Sequence, residues 1–379
     1  MFDRYVAMGT SVSMGWQSDG LTAVLQRQSW PAQLAERAGR PFSLPLISGV
    51  GCRSPLVTPL ASGVRESGES AAQPAASAQC DPLQAGITLP TRNVAIAGAL
   101  TLDALQTTPE LHQDPFYRKL YPLILPPNTT QLLAMKAQSP TFVSVEFGAN
   151  EVLGARSGVA IPGVTMFPFA TWVSLYNTLT AEVARSTTRG LLVGLIADVA
   201  SFPSFRRGGE IWSDRQTLLA AFHVAVNRDC ADSRNLLFLA VRIPVAVATA
   251  AAYRSNGLPP FDFRCSDGGQ GVQDYVLTPA EAGVVNQQLA MMNNHIRRTG
   301  DRLGFAVTNL DALYGRPGLK APYSTVQMLT GKEPYGPLIS YDGIHPSGAG
   351  HAILADAAAR AIRAEYGFRF QEPVVVASR

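Results

Sequence analysis

A brief apolar run, Tyr5-Val6-Ala7-Met8, stops at Gly9 and gives way at once to Thr10 and Ser11. A short apolar run closed by a glycine reads as a buried strand. The device recurs along the chain: Asn93–Ala97 before Gly98, Thr141–Phe147 before Gly148, Gly190–Ala197 before Asp198, and Phe305–Asn309. Helical patterns lie between these runs. Leu21–Gly39 reads as a helix, a break at Pro31 and a second short helix ending at Gly39. Thr101–Leu105 begins a helix, and Leu120–Ala137 mixes irregular and helical structure among its prolines. Phe167–Ser186 carries Phe169, Trp172, Val173, Tyr176 and Leu179 on one face, a stripe suited to core packing. Thr278–Arg302 is the clearest helix, with Thr278 as cap, Pro279 in the first turn and Glu281 completing a capping box. Ser347–Tyr366 is the final one. Five strands alternating with helices predict an α/β fold, a three-layer α/β/α sandwich.

In such folds ligands bind at the carboxyl edge of the sheet, where Ser11 is delivered. Near the other end of the chain stands Tyr341-Asp342-Gly343-Ile344-His345-Pro346-Ser347. An aspartate three residues before a histidine can accept a hydrogen bond from one imidazole nitrogen. The other nitrogen is then free to take a proton from a serine hydroxyl. Asp342 and His345 are therefore candidate partners for Ser11. Taken separately, Ser11 reads as a turn or capping serine, and Asp342 and His345 as loop and surface residues.

Two further stretches fall between them: Asn93-Val-Ala-Ile-Ala-Gly98, and Phe142-Val-Ser-Val-Glu-Phe-Gly148-Ala-Asn150-Glu151. In this order, the four blocks resemble those of the SGNH hydrolases, also called the GDSL esterase/lipase family, over nearly the whole chain. The resemblance implies a flavodoxin-like, mostly parallel five-stranded sheet and a Ser11–His345–Asp342 triad. It also implies an oxyanion hole formed by the backbone N–H groups of Ser11 and Gly98 and the Asn150 side chain. The chemistry implied is hydrolysis of carboxylic esters through an acyl-enzyme, with no metal or cofactor called for. Two positions depart from the pattern. The family's Gly-Asp-Ser is Gly9-Thr10-Ser11 here, and its Asn-Asp is Asn150-Glu151. A carboxylate before the serine can brace the turn by accepting N–H bonds, whereas Thr10 offers only a hydroxyl. A carbohydrate O-deacetylase on the same fold is the alternative enzyme. A catalytically dead binding domain is the alternative outside enzymes, and Thr10 is the feature that favours it.

Ser13 is the rival nucleophile. His351 falls on the final helix, and His112, His223 and His295 belong to no motif. No GxSxG, HExxH, GxGxxG or SxxK occurs, which argues against the enzyme classes those signatures mark.

The 379 residues are expected to form a single domain, 1–379, with enough chain to bury a sizeable core. A net charge of +3, without basic runs, gives no reason to expect nucleic acid. The expected partner is a small or polymeric ester, and the chain is expected to be a monomer. Four cysteines form no CxxC pair. Cys52 and Cys80 bracket a Gly/Ser/Ala-rich stretch read as a floppy surface loop. Cys230 and Cys265 bracket part of Phe205–Tyr275, read as an irregular insertion bordering the site and forming part of the substrate wall. Local pairing is one of three connectivities and the one favoured; four free thiols are the alternative. Disulfides imply an oxidising compartment, hence an exported protein, and no leader is visible before the first strand. Leu236–Ala252, interrupted by Arg242 and Pro244, is too short to span a membrane and reads as a strand followed by an irregular segment. The segment Asp198–Pro203 is expected to border the site.

Overall fold

The N-terminal apolar run forms the strand Tyr5–Gly9 in the computed structural model of the chain, which describes residues 1–269 and 271–371. The expected domain, 1–379, runs past them at 372–379, and Gln270 of the insertion also lies outside. Tyr5–Gly9 pairs in parallel with Phe142–Glu146, which pairs with Gly190–Gly194, and that strand with Ala306–Asn309. Every residue of the first three strands is buried. Both faces of the sheet are therefore covered, which is why these strands read as continuous apolar runs without alternation.

The helices that cover them fall into two groups. Trp30–Arg37 packs on Gly348–Tyr366, which lies on Ala306–Asn309. Phe169–Ser186 packs with Thr101–Gln106, Gln131–Lys136 and Pro279–Leu303, the last of which lies on Gly190–Gly194. The Phe169–Ser186 stripe is core, with Trp172, Tyr176, Leu179 and Val183 buried. The capping box at Thr278 is present in full: its hydroxyl accepts from Glu281 N–H, and the Glu281 carboxylate accepts from Thr278 N–H.

Several expectations are corrected. Among the described residues the parallel sheet has four strands, because Asn93–Ala97 makes only one bridge there, Ala7 with Asn93. It still runs beside the first strand: Val94 and Ile96 N–H donate to the carbonyls of Ala7 and Gly9. A helical turn that the sequence does not announce, Ser11–Met14, precedes the expected helix, break and second helix, which are Ala23–Arg27 and Trp30–Arg37; Pro31 stands in the first turn of the second helix and not at the break. The supposedly irregular insertion is folded. Phe205–Arg207 and Leu236–Phe238 form an antiparallel sheet with Val276–Leu277, and Val224–Val226 pairs with Phe261–Phe263. Its longest element, Leu239–Ser255, is a helix with Pro244 inside. The Ala-rich stretch after Pro244 outweighs a proline that removes one hydrogen bond near the helix start. None of the helices among the described residues is long and apolar enough to cross a membrane.

Cys52–Cys80 and Cys230–Cys265 are both disulfide-bonded, the local pairing favoured from the sequence. The loop closed by the first of them is not floppy. Arg65 within it is buried, donating to the carbonyls of Ser54 and Asp19, and Lys119 Nζ donates to the carbonyls of Ala76 and Ala78. An arginine and a lysine tie down a segment whose own composition has little apolar surface to bury.

Candidate active site

Gly9 ends the first strand beside Glu146, its partner in register. No side chain fits at position 9, where a Cβ would stand 2.7 Å from Ser13 Oγ and 2.9 Å from the Glu146 carbonyl oxygen. The chain turns directly from Gly9 into Ser11–Met14, and this tight turn holds Ser11 at the sheet edge. From the far end of the sequence, the loop before Gly348–Tyr366 brings in the other two groups. His345 Nε2 lies 2.9 Å from Ser11 Oγ, and His345 Nδ1 lies 2.9 Å from Asp342 Oδ2. With Nδ1 protonated toward the carboxylate, Nε2 is left as the acceptor for the serine proton.

Asp342 is held as an anion. Burial works to raise its pKa, but the adjacent His345 and the N–H groups of His345 and Ile344 outweigh it and bring the value down to about 2. Both of those N–H groups donate to Oδ1 at 2.9 Å, while Oδ2 accepts from Asp19 N–H at 2.9 Å as well as facing the imidazole. Tyr314 Oη donates to the Ile344 carbonyl at 2.5 Å and fixes the loop from below.

The carboxylate missing at position 10 is supplied from the neighbouring strand. Glu146 accepts from Thr10 N–H and Thr10 Oγ1, each at 3.0 Å, and from Ser13 N–H and Ser13 Oγ at 3.3 and 3.0 Å. Thr10 therefore braces the turn as a donor to Glu146. Burial pushes the Glu146 carboxyl up to about 7 against the pull of these bonds. The sequence reading did not single out Glu146. The available signal was a lone acid ending an otherwise apolar run, which must find donors once buried.

Ser13, the rival nucleophile, is fully buried; its Oγ bonds to Glu146 and accepts from Trp30 Nε1 at 3.2 Å. It is part of the brace and touches no histidine.

Gly98 and Asn150 come together through the residue between them. Asn150 Nδ2 donates to the Ala99 carbonyl at 2.9 Å, and Asn150 lines the same cavity as Ser11 and His345. Gly98 has a φ of +76°, and a Cβ there would lie 1.8 Å from Tyr117 Oη. Its N–H and that of Ser11 take no hydrogen-bond partner among the described residues. Gly98 stands outside the cavity lining. Glu151 accepts from Thr101 N–H and Thr101 Oγ1 at 2.7 and 2.6 Å, tying the Asn150 turn to the helix after Gly98. Burial raises its pKa.

The cavity beside Ser11 encloses about 670 Å³, its open mouth included. Its walls are Val12, Val152, Leu153, Leu195, Ile196, Val199, Phe202, Phe205, Val285, Leu289, Leu310 and Ile344, with Arg156 exposed among them. Val199 and Phe202 place the Asp198–Pro203 segment at the site, as the sequence suggested. Among its described residues the insertion, by contrast, contributes only Phe205. The remainder of it folds on its own sheets and helices, and the wall comes from the Pro279–Leu303 helix and the loops after the central strands. A second cavity, lined by Pro203, Arg206, Tyr323, Glu333 and Tyr335 among others, lies across the Phe205 strand from the first.

None of the other histidines hydrogen-bonds to this constellation among the described residues. His351 is fully buried, with burial lowering its pKa to about 3. His295 Nε2 meets Asn177, His223 Nε2 meets the Leu258 carbonyl, and His112 stacks near Tyr117 and Tyr121.

No family model matches the chain, and no curated protein matches it. Among solved structures, similar ones include the acetylxylan esterase Axe2 of Geobacillus stearothermophilus, at 11% identity over 96% of each chain with a TM-score of 0.37. A point mutant of the same acetyl-xylooligosaccharide esterase gives 12% identity, 94% of this chain and 93% of that one, and a TM-score of 0.39. At these values the likeness decides neither the reaction nor the substrate.

Proposed function

We propose that the protein is a serine-dependent carboxylic ester hydrolase of the SGNH type. The observation that carries this reading is the chain of contacts Ser11–His345–Asp342, two links of 2.9 Å each, at the wall of an apolar cavity. His345 Nε2 takes the Ser11 proton as Oγ attacks the ester carbonyl, and Asp342 holds the ring and balances its charge. The oxyanion that forms is met by the N–H groups of Ser11 and Gly98 and by the Asn150 amide, which has a second hydrogen beyond the one given to Ala99. Losing one such donor costs about 3–4 kcal/mol of transition-state stabilisation. His345 then protonates the departing alcohol, and water repeats the sequence to release the acid. We read the two helix groups as the outer layers of a single three-layer domain. The two disulfides support an oxidising compartment, and we read the protein as an exported monomer that acts on esters and not on nucleic acid.

The cavity's aliphatic and aromatic lining suits an acyl chain of short to medium length. Each buried methylene contributes about 0.8 kcal/mol until the space is full, after which longer chains gain nothing or clash. Specificity constants across 4-nitrophenyl esters should rise from acetate over the first few carbons and then fall. A steady rise to palmitate refutes the proposed limit, and no hydrolysis of any ester refutes the reaction.

A second reading, removal of acetyl groups from carbohydrate, is favoured by the neighbouring cavity. Its tyrosines, prolines, Arg206 and Glu333 make the kind of surface on which a sugar ring packs and hydrogen-bonds. Activity confined to acetate esters, with acetylated sugars preferred over 4-nitrophenyl acetate, would select it.

A further inference from the structure

We propose that Asp19 is a positioning residue for the Asp342–His345 pair, and that Arg53 and Arg65 of the Cys52–Cys80 loop hold it in that role. The inference rests on the reading of Ser11, His345 and Asp342 given above. Its starting point is a turn of unusual geometry. Gln17 and Gly20 exchange backbone hydrogen bonds at 3.0 Å, and both residues between them are left-handed, Ser18 and Asp19 each with φ of +54°. Non-glycine residues adopt that conformation at a cost, so something must hold it.

The turn is docked on the loop that carries the catalytic pair. Ser18 N–H donates to Ser340 Oγ at 2.9 Å, Tyr341 N–H donates to Ser18 Oγ at 3.1 Å, and Asp19 N–H donates to Asp342 Oδ2 at 2.9 Å. The last of these falls on the oxygen that faces His345 Nδ1. It is the one hydrogen bond on the Asp342 carboxylate, among the described residues, that comes from outside the 340–345 loop.

Asp19 is fixed in turn by two arginines. Its Oδ2 accepts from Arg53 Nη1 at 2.5 Å and from Arg65 Nη2 at 2.7 Å, and its carbonyl accepts from Arg65 Nη1 at 3.0 Å. The Arg65 side chain is 1% exposed and that of Arg53 13%. Arg53 follows Cys52 directly, and its second nitrogen donates to the Gln73 carbonyl, so the closed loop grips the turn at two places.

The other titratable groups around the pair are Tyr314, Tyr335, His351 and Glu146. Burial pushes the two phenols up and His351 down, and Glu146 up to about 7. The cluster of one carboxylate and two guanidinium groups, with a net charge of +1, is therefore the part of this surrounding whose charge a substitution can shift in either direction.

Asp19→Asn keeps a residue type that tolerates the left-handed turn, but leaves two guanidinium charges beside Asp342 uncompensated. Arg53→Gln removes one positive charge and one of the two holds on Asp19, leaving Arg65 to fix the turn. In the full-length, disulfide-intact protein, 4-nitrophenyl butyrate hydrolysis is followed across the acid limb of kcat/KM. The ring signals of His345 are followed by NMR over the same pH range. Asp19→Asn should move the midpoint down and Arg53→Gln should move it up. Each shift should be roughly 0.4 of a pH unit, the effect of a unit charge at about 10 Å with an effective dielectric near 60. KM should stay within about two-fold in both, with the loss in kcat, because neither residue lines the substrate cavity. A purely structural role lowers the active fraction and moves no midpoint. Ester hydrolysis by the wild type with unmoved midpoints in the variants overturns the positioning role. Opposite NMR shifts in a protein that hydrolyses no ester uphold it and overturn the proposed function instead. If Asp19→Asn does not fold, Arg53→Gln decides alone, and an unmoved or lowered midpoint refutes the inference.

Discussion

Glu146 makes the stability of this protein depend on pH in a direction opposite to that of most carboxylates. A glutamate ordinarily titrates near 4.5; burial, opposed by the hydrogen bonds of Thr10 and Ser13, carries this one to about 7. As pH falls, the native state takes up the proton before the unfolded chain does. Its contribution is thus fully present below 4.5 and is lost as pH rises through about 7. A rise of that size corresponds to roughly 3 kcal/mol. Glu146→Gln is the perturbation that isolates it. The amide oxygen can take the place of Oε2 and accept from Thr10 N–H and Ser13 N–H, while the NH₂ donates to the Thr10 hydroxyl, which is able to accept. The glutamine is neutral at every pH, so the variant lacks this slope. Urea denaturation of both proteins at several pH values from about 4.5 to 8 gives the difference in unfolding free energy. That difference should shift toward the variant by roughly 3 kcal/mol over the range, other titrations cancelling in the comparison. A difference that stays flat with pH would refute the reasoning, since the carboxyl would then titrate alike in both states.

Four further outcomes are expected. Asp342→Asn should lower kcat by several orders of magnitude with little change in KM, and it should erase roughly 2 kcal/mol of wild-type stability that is complete above pH 4 and lost as pH falls toward 2. Ser13→Ala should destabilise by about 1–3 kcal/mol, since Trp30 Nε1 is left unpaired, yet retain turnover; loss of turnover at full stability would revive it as nucleophile. Gly98→Ala should cost less stability in a Tyr117→Ala background than in the wild type, because the added Cβ meets the Tyr117 ring carbons as well as its hydroxyl; an equal cost in both backgrounds would contradict that clash. Intact mass after alkylation without reductant should show no free thiol, and a mass increase for four would contradict the two disulfides.

What could be read from the sequence was what is local in the sequence. Asp342 and His345 are three residues apart, and Ser11 follows a strand by two, so each block is short and local, and their occurrence together in one order makes them recognisable. The long helices also declare themselves by period and caps. The brace on the Ser11 turn was not legible, because Glu146 lies 133 and 136 residues from the two donors it serves and has no spacing rule to announce it. The same holds for Asp19, 323 residues from Asp342. Asn93–Ala97 has the composition of a strand, but strand or bridge is settled by how far its partner extends beside it. Leu239–Ser255 was hidden by Arg242 and Pro244. Arg242 is held by the carbonyls of Arg264 and Asp274 from a distant segment, so its placement in the helix is a tertiary effect.

The most direct test of the central claim is to find which atom acts as the nucleophile, by the phosphonyl adduct it forms with loss of fluoride. The protein is treated with a fluorophosphonate probe, digested, and the modified peptide is sequenced by mass spectrometry. The adduct is expected on Ser11 in stoichiometric amount, absent from Ser11→Ala and strongly slowed in His345→Ala, with both variants folded. An adduct on Ser13 or elsewhere, or labelling of Ser11→Ala at the wild-type rate, would contradict the account.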